Sequence, residues 1–477
     1  MDHPMNLPAH KTRIVATIGP ASQSVEVMEA MLLAGMNVAR LNFSHGDFDS
    51  HRRVIANLRE ASSRTGCRLA IMADLSGPKM RIGSFATDSI QLKSGDVFTL
   101  TTQDAVGNQE RVSVSFDRLP EVVKAGDSLF LNDGYVQLRV ERVHGSDVAC
   151  IVTAGGELSS RKGLNLPGIA LGMSAFTERD RAALAFALEH GVDAVSQSFV
   201  ENAADVEMVR TAARELGYDP FLIAKIERSR ALDHLDEILT ASDGVMIARG
   251  DLGVEIPIEK IALVQKDIAR RACLRAKPVI TATQMLESMT SHRLPTRAEA
   301  TDVANAILDG TDAVMLSAES ATGSFPVEAI AMLARIAAAV DPARPRIHAE
   351  ELHKAAGSPA GVAAEHLVAA SVEATLAYAN PVAVFVPTLS GASARRMSRH
   401  RLPVWTIAVS PNHVACQKLQ FSYGVFPVCE PSDPGAWSEY VRSWTKVHGL
   451  EGRLAILVAG PWPQDPSANH RVEFVDL

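Results

Sequence analysis

The chain has 477 residues, a formal net charge of −8, and 47% hydrophobic against 21% charged residues, which fits a soluble globular protein of about two to four domains. No Lys/Arg cluster with interleaved aromatics argues for nucleic acid, and neither a signal core in MDHPMNLPAHK nor an apolar run of spanning length argues for export or a membrane. The five cysteines (67, 150, 273, 416 and 429) are scattered without CxxC spacing, as expected of reduced thiols in a cytoplasmic protein without structural zinc.

In chain order, apolar strands repeatedly end in charge. A strand over 13–18 is closed by Gly19-Pro20, and a helix follows from an N-cap at Ser24 to Ala34, stopped by Gly35. The strand over 37–41 carries Arg40, Asn42, Ser44 and His45 at its end; a helix near 48–65 and a strand over 69–73, ending at Asp74, come next. From 77 to about 173 the pattern turns to short alternating runs with Gly-Asp turns, such as SIQLKSGDVFTLTT and SLFLNDGYVQLRVERV. That marks a small β-rich, barrel-like domain inserted in a strand-to-helix loop.

Helical periodicity returns over 177–190, followed by a strand over 194–198 and a helix over 203–216. Strands over 221–224 and 244–248 flank a helix marked by Leu232, Leu235, Ile238 and Leu239. Then come helix 258–275, strand 278–282 ending in Thr283-Gln284, helix 296–309, strand 313–316 ending in Ser317 and Glu319, and helix 326–339. Roughly eight strand–helix repeats close a (β/α)8 TIM barrel, and the lack of GxGxxG after any strand argues against a Rossmann arrangement. Residues 341–349 are Pro- and Arg-rich and read as a linker. Beyond it, helix 360–378 and strands over 382–386, 404–409, 424–428 and 454–458 describe a separate open α/β domain. The expected organisation is a discontinuous barrel domain (1–76 and 174–341), an inserted lid (77–173) and a C-terminal domain (350–477).

The densest chemistry lies in residues 221–255. Lys225-Ile226-Glu227 ends one strand and Arg249-Gly250-Asp251 the next, and parallel α/β folds bind ligands at the carboxyl ends of strands. Glu227 and Asp251 offer hard oxygen ligands to one Mg²⁺. Lys225 falls on the same strand face as Glu227, and an ammonium beside a metal carboxylate suits a bridging phosphoryl group or enolate. Gly250 permits close backbone approach, and its amide with that of Asp251 can hold a carboxylate. Alone, Lys225–Glu227 reads equally well as a structural ion pair at a barrel rim. Further on, Thr388-Leu389-Ser390-Gly391-Ala392-Ser393 is a small-residue turn opening a helix, either a phosphate loop or an ordinary N-cap.

The motifs ATIGPAS, ARLNFSHG, DLSGPKMRIG, RKGLNLPG, AKIE, MIARGDLGVEIP, TATQMLESM, PTRAEATDVANAILDGTDAVMLSAESATG and GVFPV occur in that order. With them the chain resembles the pyruvate kinase family over nearly its whole length. The resemblance implies phosphoryl transfer from phosphoenolpyruvate to ADP, giving pyruvate and ATP at the last step of glycolysis. It implies that Arg40 binds the phosphoryl group, Lys225 stabilises it in flight, and Glu227 and Asp251 ligate Mg²⁺. It places Gly250, Asp251 and Thr283 around the substrate carboxylate and enolate, with a proton relayed through Thr283 and Ser317. His45, with Arg81 and Lys162 from the inserted domain, matches nucleotide-side positions, and that domain would close as a lid to exclude water. These roles suit a reaction that asks mainly for positioning and cations.

One departure bears on cofactors. The family's monovalent-cation site maps to Asn42, Ser44, Asp74 and the carbonyl of Leu75. Potassium-dependent members carry Glu at the position of Lys79 and Thr at those of Leu75 and Ile82. Lys79 therefore resembles the branch that works without K⁺, a tethered ammonium replacing the ion. In the C-terminal domain, Thr388, Ser390, Gly391 and Ser393 keep the family's phosphate loop. Leu389 and Ala392, however, stand where fructose-1,6-bisphosphate-responsive members carry Lys and a larger polar residue, which implies a sugar monophosphate effector. Family members are usually homotetramers. Two other functions fit parts of the pattern: a Mg²⁺-enolate lyase or aldolase acting on pyruvate, which has no need of Arg81 and Lys162, and a non-catalytic sugar-phosphate sensor, against which intact Lys225, Glu227 and Asp251 argue.

Overall fold

Eight short apolar runs form strands buried almost throughout: β1 (Arg13–Thr17), β2 (Val38–Asn42), β3 (Ala70–Leu75), β4 (Ala194–Gln197), β5 (Phe221–Ile226), β6 (Gly244–Ala248), β7 (Val279–Ala282) and β8 (Ala313–Leu316). In the computed structural model, which describes residues 7–355, 364–461 and 469–477, they pair in parallel in chain order and β8 closes onto β1. Alternate side chains, among them Val15, Met72, Ile223, Met246 and Met315, fill the interior. The helices between strands bury a larger apolar layer against the outside. Phe421, from beyond the barrel, joins the interior cluster and stacks on Phe221 at 5.2 Å. Phe221 begins β5, so this ring stoppers the amino-terminal end and leaves the carboxyl end as the open mouth. Helix starts follow their caps: Ser24 accepts from the Val27 amide, and Thr177–Asp180 and Thr296–Glu299 form capping boxes.

Between β3 and the helix Glu178–Glu189, a curled β domain is inserted. It has a six-stranded and a two-stranded sheet around a core of its own. The C-terminal unit is an open α/β sheet of four parallel strands with an antiparallel edge, Arg471–Asp476. The architecture is thus α/β: a (β/α)8 barrel, an inserted β domain and a C-terminal α/β domain. No described helix is long and apolar enough to cross a membrane, and the five cysteines are free thiols.

Several details differ from the sequence reading. The edge strand Arg471–Asp476 went unseen because RVEFVD mixes polar and apolar residues, as a strand paired on one side can. The helix expected between β5 and β6 breaks at His234 into Ser229–Asp233 and Leu235–Ala241. The expected start of a helix at Ala360 lies outside the described residues. Residues 341–349 are not a free tether. Asp341 is buried and accepts from the Thr12 hydroxyl (2.6 Å) and the Thr12 amide (3.0 Å), while Arg344 lies 4.0 Å over the Tyr423 ring.

The C-terminal unit is locked to the barrel by Asp312, just before β8. Its carboxylate accepts from both terminal nitrogens of Arg401 (2.6 and 2.8 Å) and from the amides of Tyr423 (2.9 Å) and Val279 (3.1 Å). Such a buried bidentate pair is costly to halve. Asp312→Ala should strand the buried Arg401 charge and destabilise the protein by about 3–5 kcal/mol, measured as a lower denaturant midpoint.

Candidate active site

β2, β3, β4 and β5 stand side by side, with Asn42 opposite Asp74 and Asp74 opposite Ser196. Their ends therefore bring Arg40, Asp74, Ser196 and Lys225 into one network at the mouth. The buried carboxylate of Asp74 accepts from Arg40 Nε (2.9 Å) and Ser196 Oγ (2.6 Å) and lies 3.4 Å from Lys225 Nζ. Arg40 Nη1 also donates to Thr17 Oγ1 at 2.9 Å. Lys225 Nζ donates to Ser198 Oγ at 2.7 Å and pairs with Glu227 Oε1 at 2.7 Å. Burial alone would raise the Asp74 pKa, but Lys225 and Arg40 outweigh it and hold the carboxyl down to about 2. Burial alone would lower that of Lys225, yet Asp74 and then Glu227 raise it. Both lysine and carboxylate are thus charged at neutral pH.

Glu227 Oε2 accepts from the Phe199 amide at 2.8 Å, and Phe199 holds a left-handed backbone, φ 59°. Asp251 lies in the first turn of the helix Arg249–Glu255. Its side chain is exposed at the mouth, within the field of Asp133 from the inserted domain. Lost hydration, then the neighbouring Glu227 charge, push its carboxyl up to about 7, against the pull of Lys225. Two hard carboxylates at the ends of neighbouring strands make a donor set suited to Mg²⁺.

On the far side of the mouth, Thr283 (φ 70°) and Gln284 (φ 53°) follow β7 in left-handed conformations. For a β-branched residue this costs about 1–3 kcal/mol. It is held in place by neighbours: Thr283 Oγ1 accepts from the Gly250 amide at 2.7 Å and donates to the Ala282 carbonyl at 2.6 Å. The Thr283 carbonyl accepts from Arg249 Nη2 at 2.8 Å, and Arg249 is fixed by Asp302 at 2.7 Å. The Gly250 amide, free for a carboxylate in the sequence reading, is therefore engaged by Thr283 here. Ser317 directly follows β8, and its amide donates to Glu319 Oε2 at 2.7 Å.

His45 is exposed just past β2. Lost hydration and then Lys79, Arg81, Arg40 and Arg179 lower its pKa, so a cationic wall faces it. Arg81 bridges to Gly163 and donates to the Arg161 carbonyl at 2.8 Å, which sets it beside Lys162 on the inserted domain. Lys79 is exposed; partial loss of hydration, then Arg81 and Lys225, lower its pKa while Asp74 and Asp251 oppose. Nearby, Asn42 Oδ1 accepts from the Ser44 amide (3.1 Å) and the Leu75 carbonyl from Ser198 Oγ (2.7 Å).

In the C-terminal unit, Thr388 Oγ1 accepts from the Gly391 amide (3.0 Å) and Ser390 Oγ from that of Ala392 (3.4 Å), with Gly391 at φ 81°. The turn borders a cavity of about 640 Å³ that Ser393, Arg396, Trp437 and Arg471 also line.

Ser196, Ser198, Thr17 and the Arg249–Asp302 pair were missed. Ser196-Gln197-Ser198 did carry a signal, a polar run where a buried strand ought to stay apolar. The partners of Arg249 lie too far along the chain for any local pattern.

A closed barrel whose mouth holds two buried cations and paired carboxylates, with Lys79, Arg81 and Lys162 brought up by the inserted domain, defines a barrel enzyme built for an anionic substrate. The pyruvate kinase barrel domain matches residues 9–330, and the pyruvate kinase alpha/beta domain matches residues 365–464. Pyruvate kinase of Thermococcus litoralis is 47% identical over 426 residues, 89% of this chain and 90% of that one. Pyruvate kinase of Geobacillus stearothermophilus is 41% identical over 421 residues, 87% of this chain and 71% of that one. The crystal structure of a pyruvate kinase from Cryptosporidium parvum matches with a TM-score of 0.90 at 34% identity, covering 98% of this chain and 96% of that one. The chain belongs to the pyruvate kinase family of enzymes.

Ser198→Ala removes a hydroxyl bonded to a buried ammonium, an interaction of about 1.5–3 kcal/mol. Turnover should fall about tenfold while the circular dichroism spectrum is unchanged, as steady-state kinetics would measure.

Proposed function

We propose that this enzyme transfers the phosphoryl group of phosphoenolpyruvate to ADP at the barrel mouth, with Mg²⁺ as cofactor, in the cytoplasm. One observation carries the reading: Lys225 Nζ stands between Asp74 at 3.4 Å and Glu227 at 2.7 Å, on the strand beside Asp251. Its charge is thereby secured at the point where a phosphoryl group must be stabilised in transit. Arg40, oriented by Asp74 and Thr17, binds the phosphoryl oxygens of the substrate. Glu227 and Asp251 would hold Mg²⁺, which when bound supplies positive charge near the phosphoryl and enolate oxygens.

Thr283 and Ser317, at the adjacent ends of β7 and β8, flank the enolate and pass a proton to it through water. Gly250 and Asp251 border the substrate carboxylate. His45, Arg81 and Lys162 take the nucleotide phosphates, and closure of the inserted domain over the mouth keeps water from the phosphoryl group. Lys79, in the field of Asp74 and Asp251, supplies the charge that a potassium ion at Asn42, Ser44, Asp74 and Leu75 gives elsewhere.

ATP and pyruvate should form from phosphoenolpyruvate, ADP and Mg²⁺ in potassium-free buffer, stop on chelation, and fall about a hundred- to a thousandfold in Lys225→Met. Product released without ADP would favour a lyase, and near-complete loss of activity without potassium would remove the role given to Lys79.

The cavity lined by Thr388, Ser390 and Ser393, at the turn that Gly391 bends, supports allosteric activation by a sugar monophosphate, with Arg396 and Arg471 as phosphate partners. Ser393→Glu should abolish the rise in activity on adding such a compound; an unchanged response would sink the site.

A further inference from the structure

Arg228 directly follows Glu227 and is almost wholly buried, 2% of its side chain exposed. Its Nη2 donates to the carbonyls of Leu166 (3.3 Å) and Ile169 (2.9 Å). These are the outer residues of a tight turn, closed by the Ile169 amide on the Leu166 carbonyl at 3.2 Å, with Pro167 second and left-handed Gly168 (φ 72°) third. Pro then Gly at those places preorganises the turn. It lies where the chain of the inserted domain, past its strand Leu164–Asn165, returns to the barrel, and Leu166 belongs to that domain's core.

Glu255, the last residue of the helix that begins with Arg249-Gly250-Asp251, faces the same guanidinium. Glu255 also accepts from the Ser229 amide (3.3 Å) and hydroxyl (3.2 Å) and stands 3.5 Å from Arg228 Nε. Glu201, 3.4 Å from Arg228 Nη2, comes from the segment whose Phe199 amide holds Glu227. One guanidinium thus meets the loop after each carboxylate-bearing strand and the return of the inserted domain. Its ion pairs are close but not aligned. Arg228 Nε, Glu201 Oε1 and Glu255 Oε1 are buried without a hydrogen-bond partner. A purely structural anchor is ordinarily satisfied; this one has bonding capacity that a small movement of the turn can take up.

We propose that Arg228 is a positioning residue that couples the seating of the inserted domain, at residues 166–169, to the elements carrying Glu227 and Asp251. Seating the lid then also sets the spacing of the two carboxylates. A planar, five-donor guanidinium can reach two carbonyls and two carboxylates at once, which an ammonium cannot. The inference rests on the lid reading above.

Hydrogen–deuterium exchange and steady-state kinetics on the full chain test it. In the wild type, ADP with Mg²⁺ should protect residues 164–172 and 249–255 together. Arg228→Met should uncouple the two segments and lower kcat/KM for ADP about ten- to a hundredfold, with a much smaller change in KM for phosphoenolpyruvate and partial recovery in Arg228→Lys. Glu255→Gln, which keeps the shape of the side chain, should show the same split and carries the test if Arg228→Met does not fold. Retained joint protection, or equal losses for both substrates with faster exchange throughout the chain, would overturn the coupling. A wild type whose inserted domain is unprotected by ADP and Mg²⁺ would overturn the lid reading itself, and the coupling with it.

Discussion

A lysine sunk between two carboxylates sets the terms for the rest of the mouth. Burying an ammonium is tolerable only when its partners are fixed and themselves bonded. Asp74 meets that condition through Arg40 and Ser196, Glu227 through the Phe199 amide, and Ser198 takes a third direction. The signs alternate along Arg40, Asp74, Lys225 and Glu227, and Asp251 comes last without a cation of its own. Its carboxyl is the one lifted to about 7. With Asp251 ionised, these five side chains leave one negative charge, which a divalent ion would convert to one positive charge. That is the sign an anionic substrate requires.

The opposite wall is held by strain instead of charge. Thr283 and Gln284 keep left-handed backbones because the Gly250 amide grips the Thr283 hydroxyl and Arg249 grips its carbonyl. Helix Arg249–Glu255, which contributes Gly250 and Asp251, is therefore tied to β7 as well as to its own strand. Its two ends serve different partners: Arg249 reaches Asp302, and Glu255 reaches Ser229 and Arg228, whose Nη2 holds the return of the inserted domain. Non-glycine residues in that conformation persist only where their surroundings insist on it, and this wall shows the insisting groups by name.

Much of the barrel was legible because each strand is a short apolar run that stops in charge, and the alternation that put Lys225 and Glu227 on one face is met by their 2.7 Å contact. Family membership came from motif order, which no periodicity supplies. What stayed hidden depends on tertiary pairing. Ser198 matters only because β4 lies beside β5, and Arg249 finds Asp302 some fifty positions on. Composition misled where burial decides: residues 341–349 look like a tether, yet Asp341 and Arg344 are buried in specific contacts. The free Gly250 amide failed as an expectation because a hydroxyl on the neighbouring strand end reaches it first.

The ring of Phe421 against Phe221 has a consequence for how the molecule is made. The last piece of the barrel's interior is encoded long after its eighth strand, so a ribosome that has released all eight strands has still not delivered the plug. The cylinder stays open at its base until the distal unit emerges and docks, and the birth of the catalytic half is tied to completion of the half that follows it.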